Sequence, residues 1–107
     1  MLALKDQTNA AILDDFLDAE VLDKRGDTIG TLECYWESAS GTFFLGIKIT
    51  EQEIVRVVPG SLARLDERHA CILVGCGAAT IRSGPPFDCD KELKGQIEHA
   101  ANKHFGV

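Results

Sequence analysis

From Ala19 onward, apolar residues recur at every second position in short segments that turn-forming residues separate. Because successive side chains of a strand point to opposite faces, this alternation predicts half-buried strands. In the segment 42–49 it places four apolar residues on one face and the others on the opposite face: Phe43, Leu45, Ile47 and Ile49 against Thr42, Phe44, Gly46 and Lys48. Short strands joined by tight turns predict a mainly β fold, a small antiparallel β-barrel or sandwich of about five to six strands.

A glycine-containing stretch, RGDTIGTLECYW, occupies residues 25–36. A phosphate-binding loop needs a lysine and a hydroxyl residue after its second glycine, or three glycines leading into a helix. Neither pattern is present, so we interpret the stretch as a hairpin in which Gly26 permits the turn and Gly30 allows a close backbone approach or a bulge. Strict alternation then places Leu32, Cys34 and Trp36 on one face.

Helical spacing occurs at both ends of the chain. In residues 6–17 it fits a short helix or an extended arm, with a stripe of Ala10, Ile12, Leu13, Phe16 and Leu17. Residues 88–107 are predicted to form a helix with a stripe of Leu93, Ile97, Ala100 and His104. The stretch ATIRS around Ile81 is a candidate sixth strand. We therefore expect an N-terminal acidic arm or short helix (1–17), a barrel (18–87) and a C-terminal helix packed on it (88–107).

The 107 residues carry a net charge of −6, and 45% of them are apolar, as in ordinary globular domains. Residues 1–23 contain six acidic residues and a single basic residue, Lys5. Almost the whole acidic excess therefore lies in the N-terminal arm. This balance argues against direct nucleic-acid binding, which relies on Lys and Arg at phosphates. A basic protein surface is the more plausible charged partner. No apolar run approaches the roughly 20 residues of a membrane span.

Four cysteines, Cys34, Cys71, Cys76 and Cys89, occur in a chain of ordinary hydrophobic content. Such a chain does not need cross-links, so we expect reduced thiols and a cytoplasmic location. The alternative is a metal or redox protein that uses Cys71, Cys76 and Cys89, although no CxxC pair is present.

No combination of residues predicts catalysis. Asp66, His69 and Cys71 are close in sequence, but LDERHAC is typical of a solvated turn. His104 lies near the end of the predicted helix, where an imidazole interacts favourably with the helix dipole. We therefore expect no enzyme activity and no cofactor.

Tyr35 and Phe44 are the candidate partner-binding residues. Alternation directs both outward from neighbouring strands, and adjacent exposed aromatic rings often mark an interface with a protein partner or a second copy. The alternative is that the N-terminal arm or the last helix covers them.

Four features of residues 18–106 together resemble the PRC-barrel family: the GDTIG turn, the VP after the fourth strand, LDERHACILV, and the closing helix that ends HFG. The resemblance implies a small β-barrel that acts as an adaptor. Family members cap the photosynthetic reaction centre as its H subunit or contact a small-subunit ribosomal protein as a ribosome maturation factor. This sequence shows neither a transmembrane helix before the barrel nor a second barrel. We therefore expect a stand-alone, non-catalytic protein-binding or assembly module, with a ribosome-associated factor docking on a basic ribosomal protein as a further alternative.

Overall fold

The computed structural model describes residues 2–3, 10–38, 41–89 and 95–106. These ranges contain one seven-stranded sheet with three α-helices. The strands are β1 (Leu2–Ala3), β2 (Glu20–Leu22), β3 (Thr28–Glu37), β4 (Phe43–Ile49), β5 (Ile54–Pro59), β6 (Ala63–Asp66) and β7 (Cys71–Val74). The helices are α1 (Ala10–Asp14), α2 (Ala78–Arg82) and α3 (Gly95–Phe105), and a 3₁₀ turn spans Gly60–Leu62. The predicted mainly β class with a C-terminal helix is confirmed.

The sheet is open and mixed. Its strand order is β1-β6-β7-β2-β3-β4-β5, and no pairing among the described strands joins β1 to β5. The predicted closed barrel is therefore not confirmed. All neighbours are antiparallel except β2 and β7, which run parallel. A parallel neighbour requires a long crossover, and here strands β3 to β6 form it.

Strand β4 follows the predicted alternation. Its four apolar residues on one face belong to the main core, whereas Phe44 lies on the opposite face in a second cluster. Lys48, on that opposite face, is exposed. The prediction for this strand is confirmed.

Strand β3 departs from strict alternation at a bulge. The register with β4 shifts between Leu32 and Cys34, so Glu33 has no paired partner there. An extra residue moves every later side chain to the other face. Tyr35 consequently packs with Leu32 against the main core, while Trp36 joins the second cluster. The prediction that Leu32, Cys34 and Trp36 share a face is wrong.

The two glycines of the first hairpin have the predicted roles. Gly26 has a φ of 87°, a left-handed conformation that favours glycine. A Cβ atom on Gly30 would lie 2.0 Å from the carbonyl oxygen of Lys48, and the β2–β3 register shifts opposite Gly30, between Val21 and Leu22. Gly30 therefore permits a close approach of neighbouring strands.

The main core lies on one face of the sheet, beneath α1 and α2. Leu13 and Phe16 contribute from α1 and the turn after it, and Ile81 contributes from α2. The stretch around Ile81 is thus a short helix and not the predicted sixth strand. Its two consecutive alanines, Ala78 and Ala79, favour a helix over a strand.

Helix α3 covers the opposite face of β4 and β5. Its buried residue is Ala101, which packs with Phe44 and Val57, and half-buried Ile97 lies against this cluster. Ala100 is exposed, so the predicted stripe through Ala100 is wrong. Leu93 lies outside the described residues. None of the described helices combines the length and apolar character needed to cross a membrane.

Candidate functional site

The two predicted partner-binding residues lie on opposite faces of the sheet. Phe44 is only 2% exposed, because α3 and Trp36 cover it. Tyr35 and Phe44 therefore do not form the expected exposed pair of aromatic rings. The bulge in β3 and the docking of α3 are the physical reasons.

Tyr35 is half-buried against the main core. Its ring packs at a tilt against Phe43, with 6.3 Å between centroids, and its hydroxyl donates a hydrogen bond to the Asp14 carboxylate. That hydrogen bond, burial and the nearby negative charge raise the pKa of Tyr35 to about 12. Tyr35 thus ties α1 to β3.

Cys34 and Cys89 form a disulfide, with 6.1 Å between their Cα atoms. This finding corrects the expectation of four reduced thiols, which was the basis for expecting a cytoplasmic location. It also removes Cys89 from the proposed metal or redox set, because a disulfide sulfur is neither a thiolate ligand nor a free redox partner for Cys76.

Cys71 and Cys76 are free thiols. Burial, together with the charges of Asp66 and Glu20, raises the pKa of Cys71. Burial also raises the pKa of Cys76, although the Lys24 ammonium opposes the shift. Both thiols therefore stay protonated at neutral pH. Among the described residues, no group of three or more His, Cys, Asp or Glu side chains is arranged to hold a metal ion.

His69 and His104 each contact polar groups of neighbouring residues. His69 lies in an exposed turn, where its Nδ1 atom is 2.8 Å from Asp66; this bond lowers the pKa of the carboxyl, with smaller contributions from backbone N–H groups. His104 places Nε2 2.9 Å from the carbonyl oxygen of Thr80 and 3.2 Å from the Ser83 hydroxyl. Because a carbonyl only accepts, Nε2 carries the proton, so His104 does not act as a base toward Ser83.

The described residues form a groove of about 750 Å³. It lies at the end of β2 and β7 and the start of β6. Its lining comes from the β2–β3 turn, the 3₁₀ turn with β6, and the end of β7: Asp23, Lys24, Arg25, Gly26, Ser61, Leu62, Ala63, Arg64, Leu73, Val74 and Gly75. It therefore combines apolar strand residues with three cationic side chains.

Backbone hydrogen bonds hold the walls of this groove in place. The Lys24 N–H donates to the carbonyl of Cys76 at 3.0 Å, and the Gly75 N–H donates to the carbonyl of Leu62 at 2.9 Å. The first bond ties the β2–β3 turn to the segment after β7, and the second ties that segment to the 3₁₀ turn. The groove is thus preorganised by main-chain contacts.

The Asp23 carboxylate stabilises the turn that carries two of the cations. It is 4% exposed and accepts hydrogen bonds from the N–H groups of Arg25 at 2.8 Å and Asp27 at 3.0 Å. Burial alone raises its pKa, but these bonds, the Arg25 charge and the Gly26 N–H outweigh that effect, and the pKa of Asp23 is lowered. The carboxylate is therefore ionised and committed to the turn.

The three cations of the groove, Lys24, Arg25 and Arg64, are exposed, and within the described ranges none forms a salt bridge with a carboxylate. The chain as a whole has 17 acidic and 11 basic residues. A groove with three cations and one carboxylate is thus opposite in sign to the whole molecule, and it is suited to a negatively charged ligand.

Sequence reasoning missed this cluster, because Arg64 is about forty positions from Lys24 and Arg25 in the chain. The only local signal was the KR pair of the first turn, which we interpreted solely as part of a hairpin. No known protein-family model matches this sequence, and no curated protein sequence matches it either.

Proposed function

We propose that this chain is a non-catalytic binding or assembly module of the PRC-barrel type, and that its basic groove receives an acidic segment of a protein. The observation that carries the proposal is the set of three exposed cations around an apolar floor, none of which forms a salt bridge with a carboxylate of the described residues. The mainly β sheet with its C-terminal helix supports the PRC relationship, whereas the open sheet and the parallel β2–β7 pair depart from the expected barrel.

The floor of the groove indicates more than a site for a simple anion. Leu62 and Leu73 are half-buried, and both line it. Apolar contact contributes affinity, while cations at the rim orient a charged partner and speed its association. A segment that carries an apolar side chain between carboxylates matches both properties.

The remaining polar groups support a binding role over catalysis. The Asp66–His69 pair lies in an exposed turn, and Asp66 pairs with Cys71 of the neighbouring strand. The pKa of Cys71 is raised, so this neighbouring thiol is not activated as a nucleophile. The Nε2 atom of His104 is within hydrogen-bond distance of the carbonyl oxygen of Thr80. Among the described groups, therefore, the groove is the strongest basis for a function.

Fluorescence anisotropy with labelled peptides tests the proposal. An alternating Glu-Leu peptide should bind, a Lys-Leu peptide of equal length should not, and free phosphate or citrate should compete only weakly. The triple variant Lys24→Gln, Arg25→Gln, Arg64→Gln should lose about tenfold or more in affinity, because its rim is neutral. The matched control Lys48→Gln, Arg68→Gln, Lys103→Gln removes the same charge from exposed positions outside the groove. Equal loss in both variants would contradict the proposal.

A further inference from the structure

The turn after α1 presents an exposed apolar residue between acidic ones. Among the described side chains, Leu17 is the one large apolar residue that is exposed, at 42%. Asp15 and Asp18 flank it, and both are exposed. We call residues 15–18 the acidic knob. An exposed leucine with carboxylates on both sides is the kind of segment that suits the groove.

Hydrogen bonds and packing hold the knob in one conformation. The Asp18 N–H donates to the carbonyl of Leu32 at 2.8 Å, and the Ala19 N–H donates to the carbonyl of Phe16 at 3.0 Å. The Phe16 side chain is buried in the main core directly beside Leu17. Such a preformed projection loses little conformational entropy on binding.

The knob and the groove lie toward opposite ends of the short strand β2. The knob precedes Glu20, at the start of the strand, whereas the turn with Lys24 and Arg25 follows Leu22, at its end. Three residues of strand span roughly 10 Å. Strand β7 runs parallel to β2, with Cys71 beside Glu20 and Leu73 beside Leu22. The C-terminal ends of both strands therefore lie at the groove.

From this arrangement we infer that the acidic knob of one copy docks in the basic groove of a second copy. The inference rests on the proposed function of the groove and names its occupant. Leu17 contacts the apolar floor, and Asp15 and Asp18 approach the cations of the rim. The patch of one copy differs from the patch it contacts, so the association is head-to-tail, and an open chain of copies has a free knob at one end and a free groove at the other.

A contact built from one short turn is small, so the association is weak, concentration-dependent and reduced by salt. Sedimentation velocity over roughly a hundredfold range of protein concentration should show growth from monomers to short chains. High salt should shift the distribution back to monomers.

Two complementary variants provide the decisive test. The knob variant Asp15→Asn, Leu17→Ser, Asp18→Asn and the groove variant Lys24→Gln, Arg25→Gln, Arg64→Gln should each stay monomeric. An equimolar mixture should form dimers and nothing larger, because one intact knob meets one intact groove. Trp36 emission and circular dichroism verify that each variant is folded, and the control Lys48→Gln, Arg68→Gln, Lys103→Gln should associate as the unmodified chain does.

Self-association of either variant alone at the unmodified level, or a mixture that stays monomeric, would overturn the inference. An unmodified chain that is monomeric at all concentrations but binds the Glu-Leu peptide would refute the second copy as occupant and leave the proposed function standing. If the groove variant also keeps its full affinity for that peptide, the proposed function fails.

Discussion

The Tyr35 hydroxyl donates a hydrogen bond to the Asp14 carboxylate, which joins strand β3 to helix α1. Through α1 this contact also orients the acidic knob, which follows Asp14 directly. The predicted outward tyrosine therefore has a structural partner within the chain.

Tyr35 is the single tyrosine, so the near-ultraviolet absorbance of tyrosinate reports on it alone. We expect ionisation at a pKa of about 12 in the folded protein and near the ordinary value of 10.0 when it is unfolded. The Asp14→Asn variant should shift the folded value down toward the ordinary one, because the negative charge is removed. Asp15→Asn is the control and should leave it in place.

The same shift predicts a pH dependence of stability. The pKa of Tyr35 is higher in the folded state, so its contribution is fully present below about pH 10 and is lost as the pH rises toward about 12. Urea unfolding of the native chain and of Tyr35→Phe should converge over this window. A constant difference between the two would show that the hydrogen bond does not cause the shift.

The disulfide between Cys34 and Cys89 should contribute measurably to stability. The two residues are 55 positions apart, and a cross-link of this span stabilises a protein by about 2–4 kcal/mol, chiefly by restricting the unfolded chain. We expect a lower urea midpoint for the double variant Cys34→Ser, Cys89→Ser. Reductant should lower the urea midpoint of the native chain and of the Cys76→Ser control by the same amount, because both contain the disulfide. Alkylation in denaturant without reductant should label two cysteines; labelling of all four would contradict the bond.

Gly30→Ala should destabilise the chain by about 1–3 kcal/mol, since the added methyl group would collide with the backbone carbonyl of Lys48. Gly95→Ala is the matched control, because its Cβ position in α3 is open. That change should leave stability unchanged or raise it by up to about 1 kcal/mol. Thermal unfolding of the two variants compares the effects, and equal midpoints would be evidence against the close β3–β4 approach.

Ala101→Asp should release α3 from the sheet, because Ala101 is fully buried against Phe44 and Val57. A buried unpaired carboxylate costs about 3 kcal/mol or more. Trp36 packs edge-on against Phe87 in the same cluster, so its emission should shift to longer wavelength. Ala100→Asp, at the exposed neighbouring position, should have neither effect; a shift in both variants would indicate a general loss of helix.

Alternation predicted much of the sheet correctly, because half-buried strands repeat every two residues. It was accurate for β4, which has no irregularity. In β3 the extra residue Glu33 reverses the faces beyond it, and nothing in the local pattern distinguishes Glu33 from an ordinary exposed position. Likewise, Phe44 belongs to a second core only because α3 folds back from the far end of the chain.

The groove was beyond local sequence reasoning for a similar reason. Lys24 and Arg25 belong to a hairpin turn, and Arg64 belongs to a strand two neighbours away in the sheet. Only the return of β7 alongside β2 brings them to one cleft. The chain has more acidic than basic residues, so its overall composition did not indicate a local cluster of cations.

The most direct test of the binding proposal is a backbone amide NMR titration of the chain with the Glu-Leu peptide. We predict that the largest shifts occur at Arg25, Gly26, Leu62, Arg64 and Gly75, which border the groove, and that they disappear in the Lys24→Gln, Arg25→Gln, Arg64→Gln variant. Shifts centred on α3 and the face around Phe44, or no shifts at all, would contradict it.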